Sequence, residues 1–167
     1  ICWPGRIQLR PKLLQAVAAD RWAMTQIEFH FNTTERLQYA CRLLRKAHGR
    51  SLRVGVIGSE ASLRQLDAAL WALSEVDFLP HSTAADAPEI QAASPILLHL
   101  DPLQLSGLDV LVNLGDDVPA GFESFNRLIE IVATDDHGRM TARQRWRHYT
   151  AQGYALVQHD LSKVVAS

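Results

Sequence analysis

The sequence predicts an α/β sandwich built on a mainly parallel sheet. Three observations carry that expectation. Apolar runs of strand length alternate with segments of helical periodicity along the chain, as in βαβ units. The runs Pro95–Leu100 and Leu108–Val112 are largely apolar, interrupted by His99 and Asp109, as strands covered on both faces must be. Val54-Gly55-Val56-Ile57-Gly58-Ser59-Glu60 reads as a strand turning directly into a helix.

Gln26–Phe31 alternates Ile27, Phe29 and Phe31 with polar neighbours, the period of a strand. Asn32-Thr33-Thr34-Glu35 then offers a helix start of capping-box type. Leu37, Ala40, Cys41, Leu44 and Ala47 recur at helical spacing, with Gly49 as the expected stop. Leu52–Ile57 is the next strand, and Ser59 caps a helix whose face is Leu63, Leu66, Leu70 and Leu73. Phe78-Leu79 reads as a short strand ending at Pro80, and residues 82–94 as a loop. A short helix near Phe122–Asn126 precedes a strand at Leu128–Ala133. A basic helix then spans about Asp136 to Gln152, Gly153 ends it, and Tyr154–Val157 is expected as an edge strand.

Composition sets the class. The chain has 167 residues, 47% hydrophobic and 21% charged, enough for one domain with a real core. No apolar run approaches the ~18 residues of a membrane span. Two cysteines, Cys2 and Cys41, are too few for a disulfide framework or a zinc site, which points to a reducing, cytoplasmic setting. Residues 1–23 lack the apolar core of a secretory signal and read as an extension outside the fold, and 24–167 as a single domain. Net charge is only −1, but it is unevenly spread: ten Lys/Arg against three Asp/Glu in 1–59, two against fourteen in 60–136, and five against one in 137–167. Such segregation favours specific protein contacts over uniform coating of nucleic acid.

The C-terminal basic segment carries the strongest signal. Arg139, Arg143 and Arg147 recur every four residues, and no acidic residue occurs from His137 to His159. On a helix this stacks like charges at a cost of a few tenths of a kcal/mol per pair, which an anionic partner would offset. With Arg139 at zero and about 100° per residue, Arg143 lies near 40° and Arg147 near 80°. Ala142, Tyr149 and Gly153 fall at about 280–320° and face the sheet, with Trp146 in the seam at about 340°. A guanidinium row beside an aromatic wall suits a ligand that is both acidic and apolar, such as a carboxylate preceded by hydrophobic residues. Trp71 stands one position off the leucine stripe of its helix, seven residues before Phe78. Exposed together, the two rings would make a docking patch.

Other chemistry is weaker. The Gly55–Glu60 turn matches neither GxGxxG nor GxxxxGK[ST], and Glu60 adds a negative charge where phosphate would sit. Asp116 and Asp117 follow a strand and, with Asp101, define a rival reading: a Mg²⁺-dependent phosphoryl-transfer enzyme. No HExxH, no His pair at metal spacing and no GxSxG elbow occurs, so neither metal nor cofactor is expected. His30, His81 and His99 read as strand-end or core residues.

Leu66-Asp67-Ala68-Ala69-Leu70-Trp71, Phe78-Leu79-Pro80-His81, Ala142-Arg143-Gln144-Arg145-Trp146-Arg147-His148-Tyr149 and Gly153-Tyr154 occur in one order and spacing. In them the chain, over about residues 25–160, resembles the chi subunit family of the bacterial DNA polymerase III holoenzyme. The resemblance implies a three-layer, nucleotide-binding-like (Rossmann-like) fold without a functional nucleotide site, and a non-catalytic replication role. It implies two partners: the psi subunit, which leads to the clamp loader, and the acidic C-terminal tail of single-stranded DNA-binding protein, which ends in a phenylalanine carboxylate. The implied tail pocket is Val132, Arg139, Arg143, Trp146, Arg147, Gly153 and Tyr154, and the implied psi surface is Trp71, Ser74 and Phe78. A repair helicase is a further candidate for that surface, DNA contact is mainly indirect, and no membrane is involved. The chain departs from the family in having Trp where Tyr is frequent, Arg where Lys also occurs, and Ser74 where proline can stand.

Overall fold

Val, Ile and Leu dominate the short strands because both sheet faces are covered. In the computed structural model, which describes residues 24–73, 78–105 and 107–162, the order is β1 (Gln26–Phe31), α1 (Arg36–Gly49), β2 (Val54–Ile57), α2 (Glu60–Trp71), β3 (Ser82–Thr83), α3 (Pro88–Ala93), β4 (Ile96–Leu98), β5 (Val110–Asn113), β6 (Arg127–Ile131), α4 (Asp136–Ala151) and β7 (Leu156–Asp160). Two 3₁₀ turns, Pro102–Gln104 and Phe122–Ser124, flank β5. The proposed extension 1–23 and Ser74 lie outside the described residues.

The seven strands form one sheet in the order β3-β4-β2-β5-β6-β1-β7, and every pairing in it is parallel. The expected α/β class is therefore observed, as a three-layer arrangement. Alternation along each strand divides the core in two. Val54, Val56, Val110, Val112, Ile129 and Ile131 pack with Ala40, Cys41 and Leu44 of α1 and Leu63, Leu66 and Leu70 of α2. On the other face Ile27, Phe29, Leu111 and Leu128 pack with Ala142 and Tyr149 of α4. Fully buried leucines such as Leu44 and Leu66 each contribute roughly 1.5–3 kcal/mol.

Several local expectations shift. No capping box forms at α1: Asn32 takes φ 64° and Glu35 makes no side-chain cap. Instead Arg36 anchors the helix start, donating from Nε to the Ile131 carbonyl at 2.9 Å and from Nη2 to the Leu114 carbonyl at 2.6 Å. Gly49 is the last helical residue, and the left-handed turn falls on Ser51. Residues 82–94 are not a loop, because Pro88 opens a short helix at its favoured N-terminal position and Ser82–Thr83 pairs with β4. That pairing places the edge strand two residues beyond Pro80, not at Phe78-Leu79. Ser59 does cap α2, accepting from the Ser62 amide at 3.1 Å.

The registration of α4 rests on polar contacts. Glu130 is 0% exposed and Arg145 only 3%. Arg145 donates from Nε to Glu130 Oε2 at 3.0 Å and from Nη1 to the Asp116 carbonyl at 2.7 Å. The Tyr149 hydroxyl donates to Glu130 Oε1 at 2.6 Å, and the Asn113 amide donates to both Glu130 oxygens. Burial pushes the Glu130 carboxyl up from its ordinary value, and the Arg145 guanidinium opposes that push.

Removing one member of such a pair strands the other charge, so Arg145→Ala should lose about 3–5 kcal/mol of stability. The double variant Glu130→Leu/Arg145→Met should lose less than the single one. Urea unfolding of the three proteins measures the difference.

Candidate functional site

The helix α4 begins where the sheet ends. Asp135 accepts from the Gly138 amide at 2.6 Å, capping the first turn. Gly138 is required there, since a Cβ would lie 2.6 Å from that of Ala133. At the other end Gly153, with φ 89°, takes the left-handed conformation that stops the helix. Between these ends Gly138, Thr141, Ala142, Arg145 and Tyr149 form the buried face.

That rotation leaves Arg139 and Arg143 exposed along the side of α4 that borders β1. Trp146 sits half-buried against Phe29, ring centroids 5.0 Å apart and edge-on, and Phe29 in turn meets Tyr149 at 6.0 Å. A groove of about 420 Å³ opens here, lined by Phe29, Phe31, Val132, Ala142, Trp146 and the two arginines, with Asn32 and Gln158 at its rim. Its floor is apolar and its wall cationic. Among the described residues, neither Arg139, Arg143 nor Arg147 makes an ion pair with an acidic side chain. Two guanidiniums thus stand unneutralised beside an aromatic surface, a chemistry suited to a carboxylate attached to an apolar group.

Four of the seven residues assigned to this pocket from sequence line the groove: Val132, Arg139, Arg143 and Trp146. Arg147 is exposed one turn further along α4 and does not line it. Gly153 and Tyr154 do not line it either, because Tyr154 turns toward Phe122, at 5.4 Å between centroids. Phe29, Phe31, Asn32 and Gln158 were missed. The alternation in β1 marks Phe29 and Phe31 as facing one layer, but only the sheet order brings β1 and β7 beside α4.

A second surface lies across the sheet. Trp71 and Phe78 are 60% and 61% exposed, with ring centroids 5.2 Å apart, and Trp71 also contacts the His81 ring at 5.0 Å. His81 is held by the Leu79 carbonyl at 2.8 Å and Asp67 at 3.0 Å. Exposed Ile90 extends the patch.

The carboxylates of the rival enzymatic reading have separate tasks. Asp101 accepts from the Leu103 amide to cap the first 3₁₀ turn, Asp116 meets His137 at 3.1 Å, and Asp117 contributes a backbone carbonyl to Asn113. Among the described residues they do not converge as metal ligands. The Gly58 turn is backed by Leu114, whose Cβ would lie 3.1 Å from an added Cβ.

The fold is thus a parallel-sheet α/β domain that carries an apolar, arginine-walled groove and a separate exposed aromatic pair. The family model described as DNA polymerase III chi subunit, HolC, matches residues 24–157, and this chain belongs to that family. It is 34% identical to DNA polymerase III subunit chi of Pseudomonas aeruginosa, covering 84% of this chain and all of that one. Similarity extends to the chi subunits of Haemophilus influenzae (32% identity; 59% of this chain, 67% of that one) and Escherichia coli (23%; 87% and 81%). The C-terminal domain of the DEAD-box protein Dbp5 shares the fold, with a TM-score of 0.53 at 11% identity over 84% of this chain and 92% of that one.

Arg143 is exposed and flanked by like charges on its own helix. Arg143→Gln should leave stability within about 0.5 kcal/mol of the parent, or slightly above it. Thermal unfolding checks this.

Proposed function

We propose that this chain is a non-catalytic adaptor of the replicative DNA polymerase. It links the clamp loader, through psi, to the acidic C-terminal tail of single-stranded DNA-binding protein. The observation that supports this most is the groove beside α4, where Arg139 and Arg143 lack acidic partners among the described residues and face an apolar floor. In this reading the terminal carboxylate and the acidic residues before it engage the two guanidiniums. The terminal phenyl ring enters between Trp146, Phe29 and Val132. Arg147 contributes longer-range attraction to the acidic stretch rather than a direct wall.

Membership of the chi family supports a place in a multi-subunit polymerase. The exposed Trp71–Phe78 pair fits the psi contact, since paired aromatics with this exposure are typical anchors of a protein interface. Setting in the cytoplasm follows from that role, and no helix among the described residues is long and apolar enough to cross a membrane.

Calorimetry with the tail peptide tests the groove. Arg143→Ala should weaken binding by about 1–3 kcal/mol, the value of a charge-assisted contact, and added salt should weaken it further. A peptide lacking its terminal phenylalanine should bind poorly. Unchanged affinity in Arg143→Ala would reject the groove as the tail site. For the second surface, Phe78→Ala should abolish co-purification with psi and leave tail affinity intact; loss of both would indicate unfolding.

A further inference from the structure

We propose that Glu28, His30 and His159 form a binding site for a late divalent transition metal, with Zn²⁺ as the reference ion, on the sheet face opposite the arginine groove. Alternation in β1 directs Ile27 and Phe29 toward α4 and sends Glu28 and His30 to the other face, where His30 meets Tyr39 of α1. The β1–β7 register pairs His30 with His159, so adjacent parallel strands deliver both imidazoles side by side, ring centroids 4.5 Å apart. Glu28 Oε2 lies 3.0 Å from His30 Nε2 and 3.4 Å from His159 Nε2, and the three atoms all fall within 4.8 Å of one another. Ligands about 2.0–2.1 Å from a tetrahedral zinc are separated from each other by roughly 3.3 Å. The two separations from Glu28 Oε2 already stand near that spacing.

Each buried ligand is also oriented through its other polar atom. Glu28 Oε1 accepts from Arg127 Nε at 2.8 Å and from Gln26 Nε2 at 3.1 Å, which leaves Oε2 for the site. His30 Nδ1 is engaged by the Tyr39 hydroxyl, which leaves Nε2. Support of this kind from outside the ligand set fixes ring tautomer and orientation in metal sites. His159 is partly exposed and borders a cavity of about 670 Å³, so a fourth position is accessible to water or an anion.

The donor set selects the metal. Two imidazoles with one carboxylate suit Zn²⁺, Co²⁺ or Ni²⁺, whereas Mg²⁺ and Ca²⁺ require more oxygen ligands. Arg42, Lys46, Arg50 and Arg127 around the cavity weigh against a hard cation held by charge alone and favour an anion in the open position. Local sequence spacing conceals the site, because His30 and His159 come from opposite ends of the fold and only the sheet joins them.

Calorimetric titration of the intact chain with ZnCl₂, alongside visible spectroscopy with Co²⁺, tests the proposal. About one Zn²⁺ should bind per chain, and Co²⁺ should give the intense bands of tetrahedral coordination. His159→Gln, on an edge strand, should fold normally by circular dichroism, lose roughly tenfold or more in affinity and lose the tetrahedral spectrum. Tail-peptide affinity should not change. No stoichiometric binding by the parent chain, a six-coordinate cobalt spectrum, or binding indifferent to His159→Gln would each overturn the site.

Discussion

The contact between Glu130 and Arg145 governs how this molecule presents its candidate binding surface. A helix as polar as α4 has little apolar area with which to choose its rotation: its buried face holds only Ala142 and Tyr149 among larger apolar groups. The choice is made by a buried carboxylate that must be satisfied. Arg145, Tyr149 and Asn113 together occupy both Glu130 oxygens, and turning α4 would break the bonds from Arg145 and Tyr149 at once. Losing the Arg145 bond leaves a desolvated charge, so the penalty for misrotation is steep. The bonds from Arg145 and Tyr149 tie α4 to β6, those from Asn113 tie β5 to β6, and Arg145 reaches further to the Asp116 carbonyl.

Fixing Arg145 inward has a geometric corollary. Arg139, Arg143 and Arg147 lie on a different arc of the helix, so an arginine-rich segment divides into one structural member and three exposed ones. Trp146, next to Arg145 in sequence, falls at the boundary, half-covered by Phe29. The groove is thus a by-product of how the helix is pinned. Gly138 contributes by letting the first turn approach Ala133 closely, which brings Arg139 near the end of β6.

How much of this was legible in the sequence depends on the range of the interaction. Strand and helix periods are local, and the class of fold, the layer facing α2's leucines and the basic helix were all readable from them. The arginine row and Trp146 were readable as well, because helical spacing is a property of the segment itself. Around the groove, what the sequence did not reveal was non-local. Glu130 reads as an interruption in an apolar strand until Arg145 is seen against it, although a charged residue at about 240° on the wheel, among positions that face the sheet, was a usable signal. The walls Phe31, Asn32 and Gln158 depend on strand order, which no local pattern encodes. Tyr154 lies away from the groove because the turn at Gly153 carries it toward Phe122.

Strand order also separates the two candidate surfaces. Thr83 of β3, beside the Trp71–Phe78 patch, is at one edge of the sheet, while Phe29 of β1 and Gln158 of β7 are at the other. From β3 to β1 there are five strand intervals, on the order of 24 Å at ~4.8 Å each. Neither surface shares a lining residue with the other, so ligands at the two would not compete for the same atoms. Among the described residues the parallel ladder between them is continuous, which makes independent binding the simplest thermodynamic expectation. An adaptor needs that independence: a tether that released one partner on binding the other could not hold both ends of an assembly together.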